Sequence, residues 1–264
     1  MKLYRVAALI QRHLYLYQRS LPRMTEVFFW PLIDLLLWGF VTLYLQRFQT
    51  NLPKFVTFFL GALILWDILY RAQQGISVSF LEEVWSKNLL NLFVTPMHPS
   101  EFLAALISIS VLKLLTAGLA SAFLAWLFYS FNLFVLGVSL IPFVFNLALM
   151  GWAIGIITMA SILLYGQEAE VMAWGLAFLV QPISAVFYPV SVMPAWVRPI
   201  AWMIPSSHVF EGMRAVVETG AFPLEELIKA TLLNLIYLSL AISFFYRNLR
   251  IVKDRGLLLR SGTE

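Results

Sequence analysis

Six stretches of this chain, residues 27–46, 55–73, 102–129, 133–165, 171–190 and 227–246, are long and apolar enough to cross a membrane. A helix rises 1.5 Å per residue, so ~20 apolar residues cover the ~30 Å hydrocarbon core. Inside lipid the backbone must satisfy its own N–H and C=O groups, which a single apolar segment does only as a helix. The expected fold class is therefore an all-α membrane protein with six transmembrane helices. Composition agrees. The chain is 61% hydrophobic and 12% charged, about half the charged share of a soluble domain. Its 16% aromatic content suits side chains anchored at two lipid–water interfaces. Pro142 predicts a bend early in the fourth segment, and residues 130–132 leave room only for a tight hairpin. Residues 1–264 read as one membrane domain, without internal repeats or linkers.

Charge sets the expected orientation. With the N-terminus inside, cytoplasmic segments carry twelve Lys and Arg and outer segments five, Lys113 being the eighteenth. Basic residues accumulate on the cytoplasmic side, so both termini are expected there. Residues 1–20 lack a continuous apolar core and an A-x-A-like site, so no cleavable signal is expected. With no cysteine, disulfides and thiolate metal sites are excluded. The three histidines are scattered without ligand spacing, so no metal site is expected. No contiguous basic face points to nucleic acid.

Three polar elements interrupt the apolar pattern. In residues 1–22, Arg5, Arg12 and Arg19 recur every seven residues beside an apolar stripe of Leu3, Ala7, Ile10, Leu14 and Tyr17. That is the pattern of a helix lying flat on an anionic membrane surface, and Pro22 is expected to end it. The second element covers residues 80–95. Ser79 and Glu82 have capping-box spacing, so a helix is expected to begin at Phe80. Leu81, Val84, Trp85, Leu89 and Leu92 fall on one face; Glu82, Glu83, Ser86, Lys87 and Asn91 fall on the other. Glu83 and Lys87 are spaced for an i,i+4 ion pair. A rigid rod with mixed charges and an aromatic anchor suits a reversible protein contact. The acidic turn at Glu168 and Glu170 is expected to touch the same partner.

The third element, residues 191–222, belongs to a stretch with Pro189, Pro194, Pro199, Pro205 and Pro223. One continuous helix cannot hold five prolines, yet the segment is too apolar for an aqueous loop. Short broken helices dipping into the outer leaflet are expected, as an outer gate that includes Pro194, Trp196, Pro205, His208, Glu211 and Arg214. Ser206 or Ser207 is expected to cap the last piece, where Glu211 and Arg214 can pair at i,i+3.

The basic helix before the first span, FFWPLIDLLLWGF at 28–40, LEEVWSKNLLNLFVTPM at 81–97 and FYPVSVMPAWVRPIAWMIPSSHVFEGMR ending at Arg214 together resemble the ABC-2 type transporter permeases. These are membrane subunits of ATP-driven exporters of drugs, lipids and polysaccharides. The resemblance implies a coupling helix at 80–95 whose Glu82, Glu83, Trp85 and Lys87 face a separate ATPase subunit. It also implies a second permease copy, a homodimer in a prokaryotic cell (inner) membrane, and ATP and magnesium held by the partner. The RSLPRM stretch stands where polysaccharide exporters often carry an RYRGS-like sequence. The chain has no phosphate-binding G-x-x-x-x-G-K-[ST] loop and no hydrolytic constellation, so it is not expected to be an enzyme by itself.

Asp34, Asp67 and Lys113 interrupt apolar spans, where a charge costs about 2.5–3.5 kcal/mol at mid-helix and so faces protein or water. Asp67 is spaced to pair with Arg71. Asp34 and Lys113 lie at comparable depth and are expected either to pair or to line the pathway. An ion-coupled secondary transporter would use the same groups as a relay, and a lipid-modifying enzyme would need clustered polar groups at one interface.

Overall fold

A computed structural model describes residues 2–46 and 53–256. Arg47 and Arg260, part of the charge asymmetry, lie outside the described residues. These residues are 86% helical and contain no strand. The helices are α1 (Leu3–Gln18), α2 (Leu21–Gln46), α3 (Pro53–Trp85), α4 (Leu89–Val94), α5 (Pro99–Tyr129), α6 (Leu140–Tyr165), α7 (Val171–Val180), α8 (Arg198–Trp202), α9 (Pro205–Thr219) and α10 (Leu224–Asp254). Among the described residues, three helical stretches are long and apolar enough to cross a membrane: Pro99–Tyr129, Leu133–Tyr165 and Leu224–Asp254. This composition fits a membrane-embedded protein.

The core is a packed series in the order α5, α3, α6, α10. Glycine spacing on α6 lets it approach α3 closely. A Cβ at Gly151 would lie 2.5 Å from the Leu69 carbonyl oxygen, and one at Gly155 would lie 2.8 Å from that of Gln73. The two glycines are four residues apart, so they share one face, the small-x-x-x-small device by which helices pack backbone to backbone. Polar ties join α6 to α10. Asn234 Nδ2 donates to the Asn146 carbonyl at 2.9 Å, and Asn248 Nδ2 to that of Ala160 at 3.0 Å. One apolar cluster lies toward each end of the series, with Phe210, Met213 and Leu133 in one and Phe80, Leu163 and Val252 in the other.

Several boundaries depart from expectation. The first break falls at Arg19–Ser20, and Pro22 lies in the first turn of α2, where a missing N–H is tolerated. The hairpin after α5 is as tight as expected: Ser130 adopts a left-handed conformation, φ 52°, and the Asn132 side chain accepts from Phe134 N. The 3-10 turns Leu133–Ser139 bend at Gly137 ahead of α6. The expected 171–190 span is not one helix. α7 ends at Val180, followed by a 3-10 turn through Ile183, because Pro182 lacks a donor and restricts the residue before it. Residues 191–222 hold the short helices α8 and α9, and neither serine caps α9. Pro205 starts it, while Ser206 Oγ bonds Ser184 Oγ at 2.8 Å and Ser207 Oγ donates to the Ile183 carbonyl at 3.0 Å.

The largest correction concerns residues 80–95. No helix begins at Phe80, because α3 runs unbroken through it to Trp85. Ser79 is buried mid-helix and accepts from Lys113 Nζ at 2.9 Å, so it caps nothing. The chain then turns at Lys87, φ 53°, before the short α4.

Overpacking by a few methyl groups costs about 1–3 kcal/mol. Gly151→Val should therefore lower the thermal midpoint in detergent micelles. Gly175→Val in α7, where no atom lies within 4 Å of an added Cβ, should leave it nearly unchanged.

Candidate functional site

Three places gather the polar groups singled out by sequence: a cleft along α2 and α3, the end of the bundle where α3 stops, and the opposite end around α9.

The cleft encloses about 420 Å³, within the range of small-molecule sites. From α2 come Trp30, Asp34 and Trp38; from α3 come Trp66, Asp67, Tyr70, Arg71 and Gln74. Ser121 of α5, Trp174 and Phe178 of α7, and the following Gln181 and Phe187 close it. The aromatic wall is ordered by its own contacts. Trp38 and Phe59 both stack on Phe187, with centroids 5.9 Å and 5.0 Å away, and Tyr70 packs on Phe178 at 5.1 Å.

Within the cleft, Arg71 Nε donates to Asp67 Oδ1 at 3.1 Å, the i,i+4 pair that spacing predicts, and Ser121 Oγ lies 3.5 Å from Asp67 Oδ2. Gln74 donates from Nε2 to the Ala173 carbonyl and to Tyr70 Oη, at 3.2 and 3.0 Å. Asp34 is exposed and makes no hydrogen bond or ion pair among the described residues. Of the two arrangements expected for Asp34 and Lys113, the pair is therefore not formed. Lys113 instead reaches Ser79 and stands 4.6 Å from the Tyr17 ring centroid. That partner comes from α1, and apolar spacing within the spans could not reveal it.

The second place is built by α1 docking beside α3 and α5. Glu83 is fully buried and Glu82 nearly so, so neither presents the solvent-facing carboxylate expected of them. Glu83 pairs with Arg12 and accepts from Asn88 Nδ2 at 2.7 Å. Lys87, in the turn, does not form the expected pair with it. His13 is also fully buried, its Nε2 3.3 Å from Glu83 and its Nδ1 3.7 Å from Glu82. Beside this cluster, Glu101 at the start of α5 accepts from the backbone N–H groups of Lys2 at 2.6 Å and His98 at 3.0 Å, and lies 3.4 Å from Arg5. The basic stripe of α1 thus meets two buried carboxylates of the bundle rather than facing outward throughout.

Trp85, 46% exposed, donates from Nε1 to Glu170 Oε2 at 3.2 Å. The end of α3 and the acidic turn before α7 therefore join as one surface, together with exposed Lys87, Asn91, Val94 and Glu168.

At the opposite end, Glu211 pairs with Arg214 at 3.3 Å and accepts from Val190 N at 2.6 Å. Arg214 also donates to the Ala185 carbonyl and lies 4.6 Å from the Phe58 ring centroid. Burial pushes the Arg214 guanidinium below its usual value, while Glu211 opposes the shift. His208 is buried, with Nε2 2.9 Å from the Trp202 carbonyl and Nδ1 2.5 Å from Glu226 of α10. The carbonyl can only accept, so Nε2 carries a proton. Sequence pattern alone did not reveal Glu226 as a partner. Pro194 and Trp196 stay exposed in the turn before α8.

No protein-family model matches the chain, and no curated protein matches it either.

Leaving a buried acceptor short of a partner costs about 1–3 kcal/mol. Arg12→Ala should destabilise the protein by that order and expose α1 to trypsin at Arg5 and Arg19. Combined with Glu83→Ala, its effect should fall short of additivity by more than ~0.5 kcal/mol in a double-mutant cycle.

Proposed function

We propose that this chain is the membrane permease subunit of an ATP-driven exporter of the ABC-2 type, working as a homodimer with separate nucleotide-binding subunits. In this reading α2, α3, α5, α6, α7 and α10 are the six crossings and both termini are cytoplasmic. The 3-10 turn after α7 extends the shortest crossing toward the outside. ATP and magnesium belong to the partner.

One observation carries the reading: Trp85 hydrogen-bonds Glu170. It joins the end of α3 to the acidic turn, the two segments expected from sequence to touch one partner. The surface so formed is aromatic at its centre and polar at its rim, as reversible interfaces are. Its docking residues are Trp85, Lys87, Glu168, Glu170 and the exposed side of α4. Glu82 and Glu83 serve it from behind by fastening α1 to α3. Movement of that surface would be carried up α3 to the cleft, and α8 and α9 would gate the outer end.

Ion-coupled secondary transport has one observation in its favour, since Asp34 and Asp67 share a cleft. The internal repeat usual in such transporters is missing from the sequence.

With the nucleotide-binding subunit present, Trp85→Ala and Lys87→Glu should each lower transport-coupled ATP hydrolysis by about tenfold, the effect of losing an interface anchor, while membrane insertion stays normal. Full coupled hydrolysis in both variants, or transport driven by an ion gradient without ATP, would contradict the permease reading.

A further inference from the structure

Resting on the permease reading, we infer that the cleft between α2, α3 and α7 takes an organic cation with an apolar body. Its cationic centre lies at Asp34, and its apolar part packs against the aromatic wall.

The charge balance of the cleft points to a cation. Two carboxylates face it with one guanidinium, and Arg71 is already engaged by Asp67 at 3.1 Å. Asp34 is left with no ion pair or hydrogen bond among the described residues. A carboxylate beside indole and aliphatic walls with no counter-charge of its own is matched by a bound cation and not by a neutral guest. An anionic guest would add a third negative charge. A neutral polyhydroxylated guest would leave the Asp34 charge unmatched.

The wall chemistry points the same way. Trp30, Trp38, Trp66 and Trp174 line the cleft, and indole faces attract cations more strongly than any other side-chain ring. Two carboxamide side chains, Gln74 and Gln181, also line the cleft. Gln74 is 8% exposed, and its carboxamide nitrogen is engaged while its oxygen accepts nothing among the described residues. The Gln181 side chain likewise has no hydrogen bond there. Carboxamide oxygens are acceptors, suited to ammonium N–H groups or to close contact with a diffuse positive charge. A cavity of about 420 Å³ holds a guest of several rings or a folded alkyl chain.

Tetraphenylphosphonium and tetraphenylborate have the same shape and opposite charge, so the pair separates charge from size. Binding to the protein in nanodiscs is read by tryptophan fluorescence, with empty nanodiscs subtracted. Wild type should bind the phosphonium saturably and the borate not at all. Asp34→Asn should weaken phosphonium binding about tenfold or more, and Asp34→Glu should retain it. Trp30→Ala should weaken it by several-fold. Unchanged phosphonium binding in Asp34→Asn, or saturable borate binding as tight as that of the phosphonium, overturns the inference. Should Asp34→Asn fail to insert, the wild-type comparison of the two ions decides by itself. This readout needs no ATPase, so its failure is separate from that of the permease reading. A cognate ATPase that couples through Trp85 beside a cleft that ignores the phosphonium removes the cation alone; phosphonium binding without any such ATPase removes the permease alone.

Discussion

The rest of the structure depends on the unbroken backbone of α3. From Pro53 to Trp85 the helix has no internal proline, so every turn is free to close its own hydrogen bonds. Gly75, the one residue that looks like a weak point between Gln73 and Ser79, is a packing device: a Cβ there would lie 2.6 Å from Ser110. Asp67, Arg71 and Gln74 in the cleft and Glu82, Glu83 and Trp85 at the end therefore belong to one rod. At 1.5 Å per residue, Asp67 and Trp85 are about 27 Å apart along it. In the proposed mechanism a push at Trp85 would reach the cleft, because a continuous helix held against α6 at Gly151 and Gly155 would move as a unit.

The N-terminal helix completes that rod. Two adjacent carboxylates, one fully buried, would be costly at the end of an apolar bundle without cations and donors close by. Arg12 and Asn88 supply them to Glu83, and His13 packs beside the pair with Nε2 3.3 Å from Glu83. The arrangement gives α1 two jobs. Val6 and Leu9, which lie outside the stripe of Leu3, Ala7, Ile10, Leu14 and Tyr17, are buried against the bundle, while Arg5 and Arg12 reach acids on α5 and α3. An amphipathic helix read as lying on a membrane is thereby fastened to the end of the helix proposed to carry the push.

Local chemistry was legible in the sequence where it depended only on spacing. The Asp67–Arg71 and Glu211–Arg214 pairs, the hairpin at Ser130 and the broken helices after Pro189 all follow from residues within a few positions of one another. Tertiary partners were not legible. Glu82 and Glu83 look like a solvent-facing edge until α1 covers them, and that burial lets α3 continue where polarity predicts a new start. Lys113 looked like a partner for Asp34, but it turns to Ser79 and Tyr17. The cleft draws on residues from position 30 to position 187, and no local pattern assembles it. The shortened α7 could have been anticipated from Pro182, whose effect was hidden by the apolar run around it.

The absence of cysteine allows the central claim, that the end of α3 is gripped by a separate motor, to be measured directly. A single cysteine carrying a short photo-crosslinker is placed at Lys87 or, for comparison, at Leu119, an exposed apolar position on α5. Each variant is purified together with the nucleotide-binding subunit and illuminated. The account predicts that the probe at position 87 links to that subunit while the probe at position 119 does not. Equal linking at both positions, or linking at neither while the subunit remains bound, would contradict it.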